Sequence, residues 1–393
     1  MKGGSERYYF TVAEALKNAG HEVVFFAMKD RNNYTCEQEK YFVSNKSLGG
    51  SVLNKIKFVL SLRYSKEAYK NMKALLNDEK PDLVILNLVH RQLTLSIIDA
   101  IKEYNKNLPI IWTMHDLIAV CPSYLMLDGK GRICEKCLGG DFKNCYENRC
   151  AKGSRLMSWL SYREAEFIRK KRFYDKVDLF VCPSDFYMKK LTEAKFTNSP
   201  IVTWRNPLPI NTEYSLNDKD DGYILYLGRL SEEKGVRTLV KAFEDIDYRL
   251  VVLGTGPIEE ELRSYVKDNG IQNVQFKGFK KGKELTDYIK NCRAVVLPSE
   301  WYENGPYSAM EAMAFGKPLI VSDKGGLPEL VTEGENGYIF RTTEELKDKL
   351  QKIIALNGMD YSAMCKNALE RAKITFDPKK YVEKTEEFYN GLR

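Results

Sequence analysis

The feature that most constrains this chain is a repeated alternation in its second half. Short apolar runs end in glycine and are followed by residues at helical spacing. The run D-G-Y-I-L-Y-L-G over residues 221–228 precedes Val236, Leu239, Val240 and Phe243, which share one helical face. Residues 250–253 form a second run closed by Gly254, and Ile258, Leu262, Tyr265 and Val266 form the next face. A weaker run at 274–277 leads to a helix carrying Leu285, Tyr288 and Ile289. Then come a strand at 294–297, a helix at 308–315 and a strand at 319–321. A strand apolar along its whole length is buried on both faces, and a parallel sheet covered by helices provides that burial.

The first half repeats the pattern. Val12 and Leu16 sit on a helix ahead of a strand predicted at 22–28. Further strands are expected at 83–88, 110–114, 179–182 and 201–204, with a long basic helix at 154–173. The segment Arg205-Asn206-Pro207-Leu208-Pro209 breaks any regular element. The expected fold class is therefore α/β, with two Rossmann-like, doubly wound parallel-sheet domains facing a cleft. They cover residues 1–205 and 206–375, and a terminal helix at 376–393 returns to the first. A doubly wound domain opens on a strand whose glycine turn feeds the first helix. Here the chain starts at the turn itself, Gly3-Gly4, so the first strand is expected to be missing and the start to be a truncation.

With 393 residues, 44% hydrophobic and 29% charged, the chain reads as a two-domain globular protein. No apolar stretch is long enough to span a bilayer, and the start has no signal core, so a cytoplasmic location is expected. The net charge of +7 suits a partner carrying phosphates, such as a nucleotide or an anionic membrane. Basic and apolar residues mix on the segment with Arg163, Phe167, Ile168, Arg169, Lys170, Lys171, Arg172, Phe173, Tyr174 and Lys176, which suits peripheral association with the inner face of the cell membrane, the alternative being a solvated helix that packs its apolar face on the domain. Basic residues are too dispersed for a nucleic-acid binder.

Ligands of open parallel sheets bind at the carboxyl ends of the strands. Three segments fall there in the second domain. Gly228-Arg229-Leu230-Ser231-Glu232-Glu233-Lys234-Gly235 offers the planar fork of Arg229 and the point charge of Lys234, which suit a leaving diphosphate. The loop after strand 294–297 carries Glu303, Asn304, Gly305, Pro306 and Tyr307, and the helix after it carries Glu311. Two carboxylates there suit a ligand with many hydroxyls. Leu253-Gly254-Thr255-Gly256-Pro257 imitates a dinucleotide fingerprint, but Glu259 stands where a third glycine belongs, so no nicotinamide site is expected. In the first domain, His115-Asp116 follows strand 110–114.

Five of nine cysteines lie close together: Cys121, Cys134, Cys137, Cys145 and Cys150. In a chain without an export signal, such a cluster points to metal rather than to disulfides. One structural zinc on Cys134, Cys137, Cys145 and Cys150 is expected, with Cys121 as a substitute ligand. An iron–sulfur cluster and a loop of free thiols are the alternatives.

Together and in this order, these segments resemble the family-4 glycosyltransferases of GT-B fold. The resemblance rests on E-x7-E from Glu303 to Glu311, G-R-L-S-E-E-K-G, G-T-G-P, the early G-G-S-E with G-H-E-V, and the position of His115. It implies a retaining glycosyltransferase that uses a nucleotide-diphosphate sugar, of UDP or GDP type, with no catalytic metal. The acceptor would be a glycan or a lipid-linked molecule in cell-surface polysaccharide or glycoconjugate synthesis. By resemblance, Arg229 and Lys234 bind the diphosphate, Glu311 the ribose, and Glu303 the sugar hydroxyls. Asn304, Gly305, Pro306 and Tyr307 contact sugar and phosphate through their backbone. Gly278 and Phe279 meet the base, Gly4 lets backbone approach the donor, and His115 contacts the transferred sugar. The rival readings are a sugar-nucleotide epimerase of the same fold, for which no clear acid/base set is visible, and an inactive sugar-nucleotide-binding scaffold.

Overall fold

The computed structural model describes residues 3–45 and 63–392. The chain divides into two compact units. One comprises residues 13–183, 187–204 and 382–393, and is called the N-terminal unit here. The other comprises residues 1–12, 184–186 and 205–381, the C-terminal unit.

The N-terminal unit is built on a parallel sheet of four strands in chain order: β1 (Val84–Asn87), β2 (Ile110–Thr113), β3 (Leu179–Cys182) and β4 (Ile201–Thr203). Strands β2 and β3 are buried at every residue, as their unbroken apolar runs require. Around the sheet are α2 (Lys66–Glu79), α3 (Ser96–Tyr104), the short α4 (Lys143–Glu147), α5 (Arg155–Lys170) and α6 (Asp185–Glu193); α1 (Gly4–Asn18) precedes them all. Ser154 starts α5 by accepting the amide of Met157 at 3.3 Å, which satisfies an amide the helix cannot. The helix ends three residues before the expected 173, because Arg172 turns left-handed (φ 52°) and Phe173 enters the core in a 3-10 turn.

One expectation for this unit is corrected. Residues 22–28 do not form a strand; they make a single parallel bridge, Met28 to Val43. A strand needs a hydrogen-bonded neighbour along its length, and this segment meets one only at its end. Among the described residues, the four strands follow one another across the sheet in chain order, β1 to β4. Residues 382–393 belong to this unit, where Glu386 meets His21 at 2.8 Å and the Tyr389 hydroxyl donates to Asp82 at 3.3 Å. They form most of the last helix, α13 (Pro378–Asn390).

The C-terminal unit has six parallel strands: β5 (Tyr223–Leu227), β6 (Arg249–Leu253), β7 (Val274–Gly278), β8 (Ala294–Leu297), β9 (Leu319–Ser322) and β10 (Gly337–Phe340). Their order is β7-β6-β5-β8-β9-β10. The chain winds outward from β5 to β7 and then returns to the other side of β5, which is double winding in full. Helices α7 (Val236–Ala242), α8 (Glu259–Asp268), α9 (Gly282–Asn291), α10 (Tyr307–Ala314), α11 (Thr343–Ala355) and α12 (Gly358–Thr375) cover the sheet. Its core interleaves Ile224, Tyr226, Leu250, Val252 and Val296 with Val236, Leu239, Val240, Leu262 and Leu346 from the helices. The winding reverses between β5 and β8, and a crevice outside the carboxyl ends of these two strands is where such sheets bind ligands. No described helix is long and apolar enough to cross a membrane.

Candidate active site

At the reversal point, the three loops that leave β5, β6 and β8 lock together. Gly228 donates to the Leu253 carbonyl at 3.0 Å, and Leu230 to that of Thr255 at 3.0 Å. A 3-10 turn at Glu232–Lys234 then ends at Gly235, whose φ of 67° turns the chain into α7. A Cβ at Gly235 would lie 1.8 Å from the Pro298 carbonyl oxygen, so this glycine lets the β5 loop touch the end of β8. The Glu300 amide closes the contact by donating to the Glu233 carbonyl at 2.9 Å. The glycines of G-T-G-P have the same kind of role. A Cβ at Gly254 would sit 1.8 Å from the Gly228 carbonyl oxygen, and one at Gly256 would sit 2.1 Å from that of Leu230. They allow protein backbones to approach, which accounts for the pattern without a dinucleotide.

Lys234 and Glu303 meet in this interlock. Lys234 Nζ lies 2.6 Å from Glu303 Oε1 and 4.9 Å from the centre of the Trp301 ring. The same oxygen accepts the Ser299 hydroxyl at 2.7 Å and the Trp301 indole N–H at 3.0 Å. Burial pushes the Glu303 carboxyl up, but Lys234 and the two neutral donors outweigh it and hold the group below the usual carboxylate range. Glu303 is 8% exposed, so its ionised form depends on these partners. Arg229 stands exposed on the same loop, and its carbonyl accepts the Tyr226 hydroxyl at 2.8 Å.

The loop after β8 is held from behind. The Gly326 amide donates to the Glu303 carbonyl at 2.7 Å, and a Cβ at Gly325 (φ 64°) would lie 2.2 Å from the same oxygen. Asn304 Oδ1 accepts the Ser184 hydroxyl at 2.9 Å, and the Gly305 carbonyl accepts Asn206 Nδ2 at 3.2 Å. Pro306 caps α10, and Tyr307 opens it as a buried residue. Glu311, one turn on, receives Arg7 from α1. Gly278 ends β7 with φ 68°, followed by Phe279 at 68% exposure, on the same carboxyl edge of the sheet.

Sequence reasoning placed Arg229, Lys234, Glu303, Asn304, Gly305, Pro306, Tyr307 and Glu311 at this edge, and the structure puts them there. It missed the Lys234–Glu303 pair, Trp301, the backing glycines 325 and 326, and Arg7. The two glycines carried a signal, since the pair Gly325-Gly326 lies in the loop that follows the strand 319–321. Arg7 carried none. For Gly4, an added Cβ would meet only Tyr307 Cδ2 at 3.6 Å, so the packing of the protein itself does not demand glycine there.

In the N-terminal unit, His115 and Asn87 stand at the carboxyl ends of the neighbouring strands β2 and β1, with His115 Nε2 2.9 Å from Asn87 Oδ1. Burial lowers the imidazole to about 4, so it is neutral at physiological pH and serves as a hydrogen-bonding group rather than a cation. Burial lifts the adjacent Asp116 to about 6.

The cysteine window folds as a compact loop. Cys137, Cys145 and Cys150 pack with Phe142, Tyr162 and Ala165. Cys145 shares a hydrogen bond with Cys150, and burial raises Cys137 to about 12. Among the described residues, no group of three or more His, Cys, Asp or Glu is placed to hold a metal ion. The structure brings Cys134, Cys137 and Cys150 close enough for their charges to act on one another, with Cys145 beside Cys150.

The basic helix is corrected in detail. Ile168, Phe173 and Tyr174 are buried, and Phe167 packs on Phe173 with ring centres 6.2 Å apart. Arg169 pairs with Glu166, Arg172 with Asp175, and Lys176 with Asp99. The apolar residues left exposed on α5 are at its other end, Leu156 at 66% and Trp159 at 41%, flanked by exposed Lys152, Arg155 and Arg163.

Residues 2–212 match the pattern described as Glycosyltransferase Family 4, and residues 210–372 match Glycosyl transferases group 1. An uncharacterised glycosyltransferase of Methanocaldococcus jannaschii is 29% identical over 196 residues, covering 47% of this chain and 54% of the relative. The chain thus spans about half the length of this curated relative. Sucrose-phosphate synthase of Thermosynechococcus elongatus superposes with a TM-score of 0.70 at 21% identity, covering 99% of this chain and 94% of its own. HepE of Anabaena, solved with UDP and glucose, gives 0.66 at 16% identity, covering 98% and 96%. At such identities the likeness shows the fold, GT-B. The first pattern spans more than half of the sequence, and on that ground the chain belongs to glycosyltransferase family 4.

Proposed function

We propose that this chain is a retaining glycosyltransferase that moves a sugar from a nucleotide-diphosphate donor to a glycan or lipid-linked acceptor. One observation carries the reading: two cations, Arg229 and Lys234, and two carboxylates, Glu303 and Glu311, stand together at the carboxyl edge where the sheet of the C-terminal unit reverses its winding. Charge grows on the diphosphate as the sugar leaves, and Arg229 and Lys234 supply fixed positive charge where other transferases use a divalent ion. HepE, a neighbour of the same fold, is solved with UDP and glucose, which supports a UDP-type donor. Retention follows from a front-face route through an oxocarbenium-like state. The alternative, a sugar-nucleotide epimerase, requires an acid/base pair around the sugar. At the edge of the C-terminal unit the two carboxylates, Glu303 and Glu311, are each held by a cation, Lys234 and Arg7, rather than set as an acid/base pair.

Transfer from a panel of radiolabelled UDP- and GDP-sugars, in excess chelator and at early times, tests this reading. Product with the anomeric configuration of the donor supports it. Interconversion of the sugar without an acceptor favours the epimerase. Arg229→Ala is expected to weaken binding of the diphosphate product by about 1.5–3 kcal/mol, the range for a charge-assisted contact. Unchanged affinity by calorimetry removes Arg229 from the site.

The acceptor is proposed to lie at an anionic membrane surface on the cytoplasmic side, met by Leu156 and Trp159 with Lys152, Arg155 and Arg163 around them. An exposed apolar tip ringed by cations suits lipid headgroups, each cation adding about 1 kcal/mol near the surface. The chain is expected to float with anionic vesicles at low salt and to be released at high salt. Leu156→Ser with Trp159→Ser should abolish flotation, whereas Lys170→Ser with Lys171→Ser should leave most of it. The opposite ranking would return the surface to the basic end of α5.

A further inference from the structure

The start of the chain belongs to the C-terminal unit, not to the unit that follows it in sequence. Three residues on the first turns of α1 show how. The Arg7 guanidinium hydrogen-bonds Glu311 Oε1 and lies 5.1 Å over the Tyr307 ring. Tyr8, 1% exposed, shares a hydrogen bond with the Tyr381 hydroxyl. Thr11 is 4% exposed and hydrogen-bonds the Tyr307 hydroxyl, which itself donates to the Pro207 carbonyl at 3.1 Å. These are all spaced to face one way on a helix.

We propose that Arg7 is a positioning residue for Glu311, so that α1 completes the nucleotide-binding site of the C-terminal unit. The inference rests on the reading of Glu311 as the group that holds the ribose. Glu311 sits on α10 among Tyr307, Met310 and Ala314, all buried, and its side chain keeps 16% exposure. A carboxylate in such a place has two weaknesses. The torsion that sets the plane of its carboxyl group is intrinsically broad, and burial favours its protonated form. Arg7 answers both by engaging Oε1, which fixes the plane of the group and leaves Oε2 to accept ribose hydroxyls. The stack on Tyr307 fixes Arg7 in turn. Burial raises the Glu311 carboxyl and Arg7 pulls it back, so without Arg7 the group would take up its proton at a higher pH.

The test uses the full chain and calorimetry with whichever of UDP and GDP binds more tightly, alongside its 2′-deoxy form, from pH 5.5 to 8.5. The unaltered chain should prefer the ribose form. Arg7→Ala should weaken that form roughly tenfold, erase most of the preference, and move the acid-side loss of binding to higher pH. Arg7→Lys, which keeps the charge, should restore the pH profile and part of the preference. A lower melting temperature for Arg7→Ala with the preference and pH profile intact would mean that Arg7 only packs α1, and would overturn the proposal. Glu311→Gln separates the two readings: if it keeps the ribose preference, the assignment of Glu311 fails, and if it loses the preference while Arg7→Ala keeps it, only the role of Arg7 fails.

Discussion

Lys234→Met is expected to lose both stability and transfer, and Lys234→Met combined with Glu303→Gln is expected to regain only the stability. Lys234 is the charged partner of a buried carboxylate whose Oε1 already accepts Ser299 and Trp301. Removing the cation strands that charge, and breaking a buried pair from one side costs about 3–5 kcal/mol. The sign with pH follows. Glu303 is held below its ordinary range, so it contributes stability above its unfolded pKa and loses it as pH falls through the lower folded value. In Lys234→Met, burial is left with only two neutral donors against it. The carboxyl rises, and the single variant should be relatively more stable in mild acid than at neutral pH. The neutral amide of the double variant no longer needs a cation, and urea unfolding should recover most of the loss. Transfer should remain down by about two to three orders of magnitude in both, as for removal of a group that stabilises transition-state charge. Recovery of transfer in the double variant would show that Lys234 serves the fold alone.

Much of this was legible because local chemistry and tertiary role coincide. Strands β3, β5 and β8 are buried on both faces, so their sequences are apolar throughout and their bounds are visible. The site loops were legible for the same reason, since each follows such a strand directly. Legibility failed where a residue's role depends on a partner far away in sequence. Residues 22–28 have a strand's composition, but a strand is a property of a pair, and the ladder forms only at Met28 and Val43. Residues 167–174 have the mixed basic and apolar content of a membrane helix. Their direction decides, and Ile168, Phe173 and Tyr174 point into the core. Arg7 and Glu311 are 304 residues apart, and nothing in either neighbourhood announces the other. The cysteine spacing shows only that four thiols fall in one loop, and which of them pack together, Cys137 with Cys145 and Cys150, depends on Phe142, Tyr162 and Ala165 around them.

Gly254→Ala is expected to cost far more than Gly270→Ala, although both glycines have positive φ. Gly270 (φ 64°) follows α8, and a Cβ there meets nothing within 4 Å. Its replacement pays only the left-handed backbone penalty, about 1–2 kcal/mol. Gly254 has φ 125°, outside the region an L-residue reaches easily, and its Cβ would fall 1.8 Å from the Gly228 carbonyl oxygen. Neither backbone is free to withdraw: the Gly254 amide donates to the Gly278 carbonyl at 2.9 Å, and the Gly228 amide to that of Leu253 at 3.0 Å. Relief has to break the β5–β6 and β6–β7 ends or push the loop outward, at a cost of about 3 kcal/mol or more. The displaced loop is the one that carries Arg229, so the damage should reach the ligand as well. Urea unfolding should place Gly254→Ala well below Gly270→Ala. Calorimetry on the folded fraction should show a loss of nucleotide-diphosphate affinity for the first variant and none for the second. Equal stability of the two would mean that the approach to Gly228 relaxes cheaply, and that the loop bearing Arg229 is not held by the interlock.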